Sequence, residues 1–568
     1  MNWRVALGLV MVLGGGWLAC WVQTAGGNIE IRDVRFLGAA GNQMSALLYV
    51  PRNATEAHPA PGVLAVHGYI NSRETQDGFA IELARRGMVV LALDQVGHGY
   101  SAPPAFIHGF GGPDGLTYLR QQAFVDKSRI GLLGHSMGGW TVLKAAQAQP
   151  DNYAAMVLVG SSTGTFDTPE GTSAFPRNVA VVYGLWDEFA TFMWDAPTGE
   201  EVARTSKLKK LFGTDHGVVV NRLYGDPSKG TARVYNMPST THPGEHWSSE
   251  AIGDAVQWLA KRLAAPTKLD ADNQVWAWKE IGTLIALLGA AIVLFSLPVA
   301  LLKTRLFEGL AGDSKPASAG TGALAMAALV PAVSYFPLFN LADKKVPLSA
   351  TFPQGITNGL LLWVVANGLF AMGVLLVALF RRRALGLAWP KANLVRTVQA
   401  FLLAAVVMAV FIALLLISDV LFKTDFRIWI VAMKLPASWH WPMILHYAPA
   451  LIGFFILSHG ATAALIDSRM WFVDAWFRLA LAYCGGFVLL LAAQYAPMLF
   501  GHALLFDEPL LTIVALQFVP LLAIVAAVHA ATYRATGTVW VGAFLNGMWV
   551  TTVVVAGQAT QFALPAGG

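Results

Sequence analysis

Two regimes of hydrophobic patterning divide the chain. Up to about residue 263, short runs rich in Val, Leu and Ile alternate with amphipathic, helix-length segments, whereas beyond about residue 265 long apolar stretches recur with brief polar breaks. The short runs predict strands over 29–36, 44–50, 62–66, 88–94, 128–135, 154–161, 178–187 and 232–238, the first two forming a hairpin. From the third onward they are runs rich in Val, Leu and Ile separated by helix-length amphipathic segments, the pattern of a largely parallel sheet covered on both faces. An α/β domain of about eight mostly parallel strands is therefore expected over residues 29–263.

The later stretches predict an all-α, multi-span region over 281–560, with candidate spans at 281–302, 319–339, 356–380, 397–422, 442–464, 471–493, 509–532 and 538–559. Each is near the roughly 20 residues that a helix needs to cross a bilayer. Pro436 and Pro442 interrupt the stretch 428–456, which reads as partly interfacial. Residues 264–280 read as a linker and 561–568 as a tail. Residues 5–22 form a further apolar run behind Arg4, so that 1–28 is either an uncleaved anchor or a signal. The sequence WLAC at Cys20 weakly resembles a lipoprotein cleavage box, but Trp17 stands where such boxes carry a small aliphatic residue, which favours the anchor.

Composition supports the division. A mean hydropathy of +0.52 with 13% charged residues lies outside the soluble globular range. The formal charge of +5 does not indicate nucleic-acid binding, because Lys and Arg cluster beside apolar runs and act as topology signals. Two cysteines, Cys20 and Cys484, exclude a disulfide framework and a cysteine zinc site. If Arg4 is cytoplasmic, the loops holding Lys303, Arg305, Lys315, Arg381, Arg382, Arg383, Lys391, Arg396, Arg469 and Arg534 are cytoplasmic too. The alternate loops hold only Lys344, Lys345, Lys423, Arg427 and Lys434, so the first domain is expected on the extracytoplasmic side of a cell membrane.

The candidate chemistry lies in that first domain. Gly134-His135-Ser136-Met137-Gly138 is a G-x-S-x-G sequence between a predicted strand and a predicted helix, the context in which a nucleophilic serine sits on a strained turn. Ala65-Val66-His67-Gly68-Tyr69 closes the third strand, and the backbone N–H groups of Tyr69 and Met137 are the expected oxyanion donors. Asp94, Gly97, Gly99 and Ser101 read as organisers of a turn at the rim, and His98 and His108 as surface or rim residues. A serine hydroxyl needs a histidine to take its proton and a carboxylate to hold that histidine, following the nucleophile in the order acid, then His. Asp187 is the expected acid; the adjacent Glu188 would point to the other side if strand geometry persists. His242 is preferred as the base, and His246 remains the alternative, lining the site or capping the next helix.

With these motifs in place, residues 40–262 resemble the α/β-hydrolase superfamily, in particular its dienelactone hydrolase-like, acetyl-xylan-esterase-like and serine-aminopeptidase-like branch. The segment GGPDGLTYLRQQAFVDKSRIGLLGHSMGG carries the most specific part of that resemblance. It implies an esterase, thioesterase or peptidase that needs no metal or organic cofactor and works through an acyl-enzyme on Ser136. A small-molecule or lipid-derived acyl substrate, contact with membrane lipids and no nucleic-acid partner are then expected. An acyltransferase, or a transporter or sensor with a binding-only hydrolase domain, remain as alternatives; a complete Ser, Asp and His set argues against the last. In the apolar half, Asp419, Asp474, Arg478, His446, His459 and His529 lie in or near spans, where they serve either a proton path, metal site or lipid pocket, or ordinary interhelical contacts.

Overall fold

The computed structural model describes residues 3–314, 317–384 and 393–563; Lys315 and Lys391 of the basic loops and residues 564–568 of the tail lie outside them. Eight strands form one sheet: β1 (Ile29–Leu37), β2 (Gln43–Pro51), β3 (Ala60–Val66), β4 (Val89–Asp94), β5 (Val125–His135), β6 (Ala155–Val159), β7 (Val179–Val182) and β8 (Arg233–Asn236), in the order β1-β2-β4-β3-β5-β6-β7-β8. The β1–β2 hairpin is antiparallel, β2 pairs antiparallel with β4, and every later pairing is parallel. β3, β4, β6 and β7 are buried throughout, and their side chains alternate between two cores. Leu64, Leu91, Leu132 and Leu158 enter one core, while Val63, Val90, Leu133 and Val157 enter the other.

Helix α1 (Trp3–Gln23) precedes the sheet, and α2 (Asp77–Arg85), α3 (Gly112–Gln121), α4 (Met137–Ala148), α5 (Ala190–Trp194), α6 (Ser206–Phe212) and α7 (Ser249–Arg262) belong to its domain. α2 and α7 cover one face and α3 and α4 the other. α5 and α6 lie between β7 and β8 as a small cap. Strand β3 has β4 on one side and β5 on the other, a topological switch point where the carboxyl ends of parallel strands open a crevice.

The remaining helices are α8 (Trp276–Leu301), α9 (Thr321–Val333), α10 (Tyr335–Lys345), α11 (Gly355–Ala384), α12 (Leu394–Phe422), α13 (His440–Thr462), α14 (Phe472–Tyr495), α15 (Pro509–Thr536) and α16 (Trp540–Gly557). Among the described residues eight helices, α1 included, are long and apolar enough to cross a membrane. The single span expected at 319–339 is instead a pair, α9 and α10, bent by 47°. Pro331 inside α9 cannot donate to the helical ladder, and the turn breaks at Ser334. The interrupted stretch after α12 forms a small hairpin of β9 (Phe426–Ile428) and β10 (Val431–Met433).

α1 packs along α8 through a glycine seam. A Cβ at Gly15 would collide with the Gly282 carbonyl, and one at Gly289 with that of Gly8, so both helices approach at backbone distance as small-residue interfaces allow. α8 begins at Trp276, inside the stretch read as a linker, and Trp276 is buried in the sheet domain's core. A buried ion network joins the two regions nearby. Arg73 Nη1 donates to Asp33 (2.6 Å), Glu74 lies 3.4 Å from Lys434 Nζ and 3.7 Å from Arg427 Nη2, and Lys279 pairs with Asp77.

Candidate active site

Ser136 follows the last residue of β5 and precedes α4, at the crevice between β3 and β6. Its backbone has φ 53° and ψ −124°, outside the regions that L-residues favour, a strain of about 1–3 kcal/mol that persists only where the surroundings over-determine it. The flanking glycines provide that constraint. A Cβ at Gly134 would strike the Gly138 carbonyl, and one at Gly138 would strike that of Val66. Gly68, in the loop after β3, lies against the Ser136 side chain, where a Cβ would come within 3.0 Å of Cβ of the serine. Met137 is the first residue of α4, so its N–H has no partner within the helix. Tyr69 and Met137, the two expected oxyanion donors, line the same cavity as Ser136.

Of the two candidate histidines, His242 is the one paired with a carboxylate: its Nδ1 lies 2.7 Å from Asp187 Oδ2. Asp187 is fixed in turn, with Oδ1 accepting from the Tyr183 hydroxyl (3.0 Å) and the Phe189 N–H (2.7 Å). With Nδ1 engaged, Nε2 is the nitrogen that can take a proton, and His242 and Ser136 line one cavity. Burial works against an imidazolium at His242, but the charge and hydrogen bond of Asp187, with the charge of Glu188, offset it and leave the pKa raised. His246 lines the cavity without a carboxylate, packs its ring 3.9 Å from that of His135, and is driven down to about 3 by burial and the neighbouring His242.

Three features differ from expectation. Regular pairing of the seventh strand stops at Val182, so the alternation that would have turned Glu188 away does not hold. Glu188 Oε2 instead accepts the His242 N–H (2.8 Å), and burial and the Asp187 charge push its carboxyl up to about 7. His98 is no surface residue: it is buried, its ring edge-on to His67 and Tyr69, because the Asp94 turn folds it beneath the oxyanion loop. That turn is organised as expected, Asp94 accepting from the N–H groups of Arg73 and Tyr100 and from the Ser45 hydroxyl. His108 is exposed. The third feature is Glu245, fully buried beneath the site, with Oε1 accepting the Gly184 N–H (2.7 Å) and Oε2 3.1 Å from His135 Nε2. His135, His242 and Glu245 each bring a possible ligand atom within 4.8 Å of the others. His135 Nε2 also faces the His242 carbonyl (3.1 Å), whereas His135 Nδ1 and Glu245 Oε2 have no hydrogen-bond partner among the described residues.

The cavity over Ser136 measures about 600 Å³ and is walled by both halves of the chain. Phe106, Trp140, Phe166 and Phe189 come from the sheet domain, and Ile430, Leu510, Ile513 and Gln517 from the helical region. The helical region also bonds three of the loops around the site. Gln561 Nε2 donates to the Tyr69 hydroxyl (2.6 Å), the Tyr495 hydroxyl to Glu188 Oε1 (2.7 Å), and Trp429 Nε1 to the Pro243 carbonyl (2.5 Å).

Comparison with known proteins bears on this geometry. Residues 57–184 match the family model of the serine aminopeptidase S33 hydrolases. An uncharacterised protein of Mycobacterium tuberculosis is 30% identical over 139 residues, 24% of this chain and 40% of that protein. A monoacylglycerol lipase of Mycolicibacterium smegmatis is 29% identical over 157 residues, 26% of this chain and 52% of the lipase. The chain thus spans about half or less of the curated relatives it matches. The N-terminal domain has the α/β-hydrolase fold. Among solved structures, an esterase of Pyrobaculum calidifontis aligns at 17% identity and a TM-score of 0.31, covering 47% of this chain and 93% of the esterase. An S-formylglutathione hydrolase of Agrobacterium tumefaciens aligns at 14% and 0.30, covering 42% and 96%. The fold assignment itself rests on the α/β-hydrolase domain's own strand order and its elbow. Glu245, Trp429, Tyr495 and Gln561 were not singled out from the sequence. The last three act across 186, 307 and 492 positions of chain, and no local pattern marks them.

Proposed function

We propose that the chain is a membrane-bound serine hydrolase that cleaves an ester, thioester or amide through an acyl-enzyme on Ser136. The observation that carries this reading is the convergence of a strained Ser136 with a histidine whose other nitrogen is held by a buried carboxylate. Ser136 Oγ attacks the substrate carbonyl carbon while its proton passes to His242 Nε2, and the N–H groups of Tyr69 and Met137 hold the oxyanion. The bond to the leaving group breaks as the imidazolium returns that proton to it. Water then attacks the acyl-enzyme, its proton passing through His242 back to Ser136 Oγ as the acid departs. The eight long apolar helices support residence in a membrane, and the bias of Lys and Arg among the loops supports an extracytoplasmic hydrolase domain.

The test is labelling of the purified full-length protein with a fluorophosphonate. Wild type is expected to label and Ser136→Ala is not, with ester hydrolysis lost by about 10⁴-fold or more. Equal labelling of both, or of neither, overturns the reading.

A further inference from the structure

The cavity above Ser136 does not end at the domain boundary. A second, narrower chamber of about 60 Å³ continues it into the helical region, and Ile70, Asn71, Ile430 and Gln517 line both spaces. The chamber's far wall is largely apolar, formed by Phe339 of α10, Ile356 and Leu360 of α11, Val514 and Phe518 of α15, and Val554 of α16, while Thr75, Arg427 and Gln558 add polar groups to its rim. Its mouth lies beside Ile70, the residue after the oxyanion donor Tyr69, so an acyl group with its carbonyl at Ser136 has this mouth within the same cavity. On the other side, Asp507 is shared with a polar cleft of about 750 Å³ that also holds exposed Asp195, Glu200 and His502. One side of the site is therefore mainly apolar and borders the bundle, and the other carries exposed ionisable groups.

We propose that this chamber receives the tail of an unbranched long-chain acyl group, so that the substrate is a single-chain acyl ester whose polar end faces the cleft. The proposal rests on the serine hydrolase reading above and deepens it. Apart from Ile70, Asn71 and Thr75, the chamber's lining lies outside the matched residues 57–184. The chamber's width selects a linear chain over a branched or bulky one. Each methylene moved from water into such a wall contributes roughly fourfold in binding, so a long chain gains strongly over acetate once its tail passes the neck at Ile430 and Gln517.

The experiment compares p-nitrophenyl palmitate with p-nitrophenyl acetate on the full-length protein in mixed detergent micelles, with active sites counted by fluorophosphonate. Wild type is expected to favour palmitate in kcat/KM. Ile356→Trp and Val554→Phe, at half-buried chamber positions, are each expected to cut the palmitate to acetate ratio at least about tenfold. As a readout independent of variant folding, a long-chain alkyl fluorophosphonate with a terminal diazirine is photolysed on wild type, and crosslinks are expected in peptides of α11, α15 or α16. Preference for acetate, an unchanged ratio in the labelled variants, or crosslinks confined to residues 29–263 overturns the chamber while leaving the hydrolase intact. A wild type that neither labels nor cleaves either ester removes the serine hydrolase reading and this inference with it.

Discussion

The two walls of the Ser136 cavity are built on opposite principles. The wall from the α/β-hydrolase domain holds groups that must be placed to a fraction of an ångström, and it places them through short-range constraints. These are a positive φ at Ser136, glycines that admit no Cβ, and a carboxylate with three hydrogen-bond partners. The wall from the helical region holds mostly apolar side chains and reaches the candidate groups through three single hydrogen bonds and, farther off, a buried ion network. Under the proposed mechanism, reactivity belongs to the first wall, and shape, access and loop position belong to the second. Damage to each should then read out differently.

The largest effects fall on the first wall. Asp187→Asn and His242→Ala are each expected to lower kcat by about 10⁴-fold, because the ring loses its orienting partner or disappears. His246→Ala, four residues along and in the same cavity, is expected to cost less than about tenfold, since no carboxylate aligns it. Comparable losses at His242 and His246 would break the comparison at its base. Next comes the seam. Glu74→Gln leaves Arg427 and Lys434 buried beside a neutral group, and a loss of about 3–5 kcal/mol is expected in unfolding measurements of the full-length protein. A variant as stable as wild type would mean that the network holds nothing together.

The same contrast explains what could be read from the chain. The parallel strands β3, β4, β6 and β7 were visible because fully buried strands leave unbroken apolar runs, and Ser136 was visible because its turn demands glycine at 134 and 138. Chain order put Asp187 and then both His242 and His246 after the serine, and only the Asp187 contact at 2.7 Å distinguishes His242. The bend at Ser334 was not visible, since α9 and α10 together have the length and hydropathy of one span and only Pro331 hints at the break. Glu188 was misplaced because strand alternation was carried past Val182, where the regular ladder had already ended. The roof over the cavity was invisible for a simpler reason. Ile430, Ile513 and Gln517 are ordinary span or hairpin residues until tertiary packing sets them opposite Ser136.

The three bonds across the boundary predict intermediate effects. Tyr495→Phe, Trp429→Phe and Gln561→Ala each remove one hydrogen bond, worth about 1 kcal/mol net. Each is therefore expected to lower kcat about fivefold, with little change in KM for a small ester. A double variant that loses no more than either single one would indicate that the loops move as a unit. If all three leave kcat untouched, the helical wall shapes the cavity without positioning its loops.

The smallest effect concerns protons. His242 must be neutral to accept from Ser136, and its folded-state pKa is raised, so the acid limb of kcat/KM is expected to have its midpoint above about 6.5, the ordinary histidine value. The stability linkage has the opposite sense: the raised pKa contributes stability fully present below about 6.5 and lost as pH rises through the folded value. Glu188 adds to this at the same boundary. Its carboxyl, pushed up to about 7, contributes stability that is present below the ordinary glutamate range and declines as pH rises through 7, while its charge holds the imidazolium in place. Glu188→Gln is therefore expected to move the acid limb to lower pH by up to about one unit and to weaken the alkaline decline in stability. A limb that moves upward, or stays fixed, would mean that the Glu188 bridge from Tyr495 to the His242 N–H positions the loop without tuning its charge.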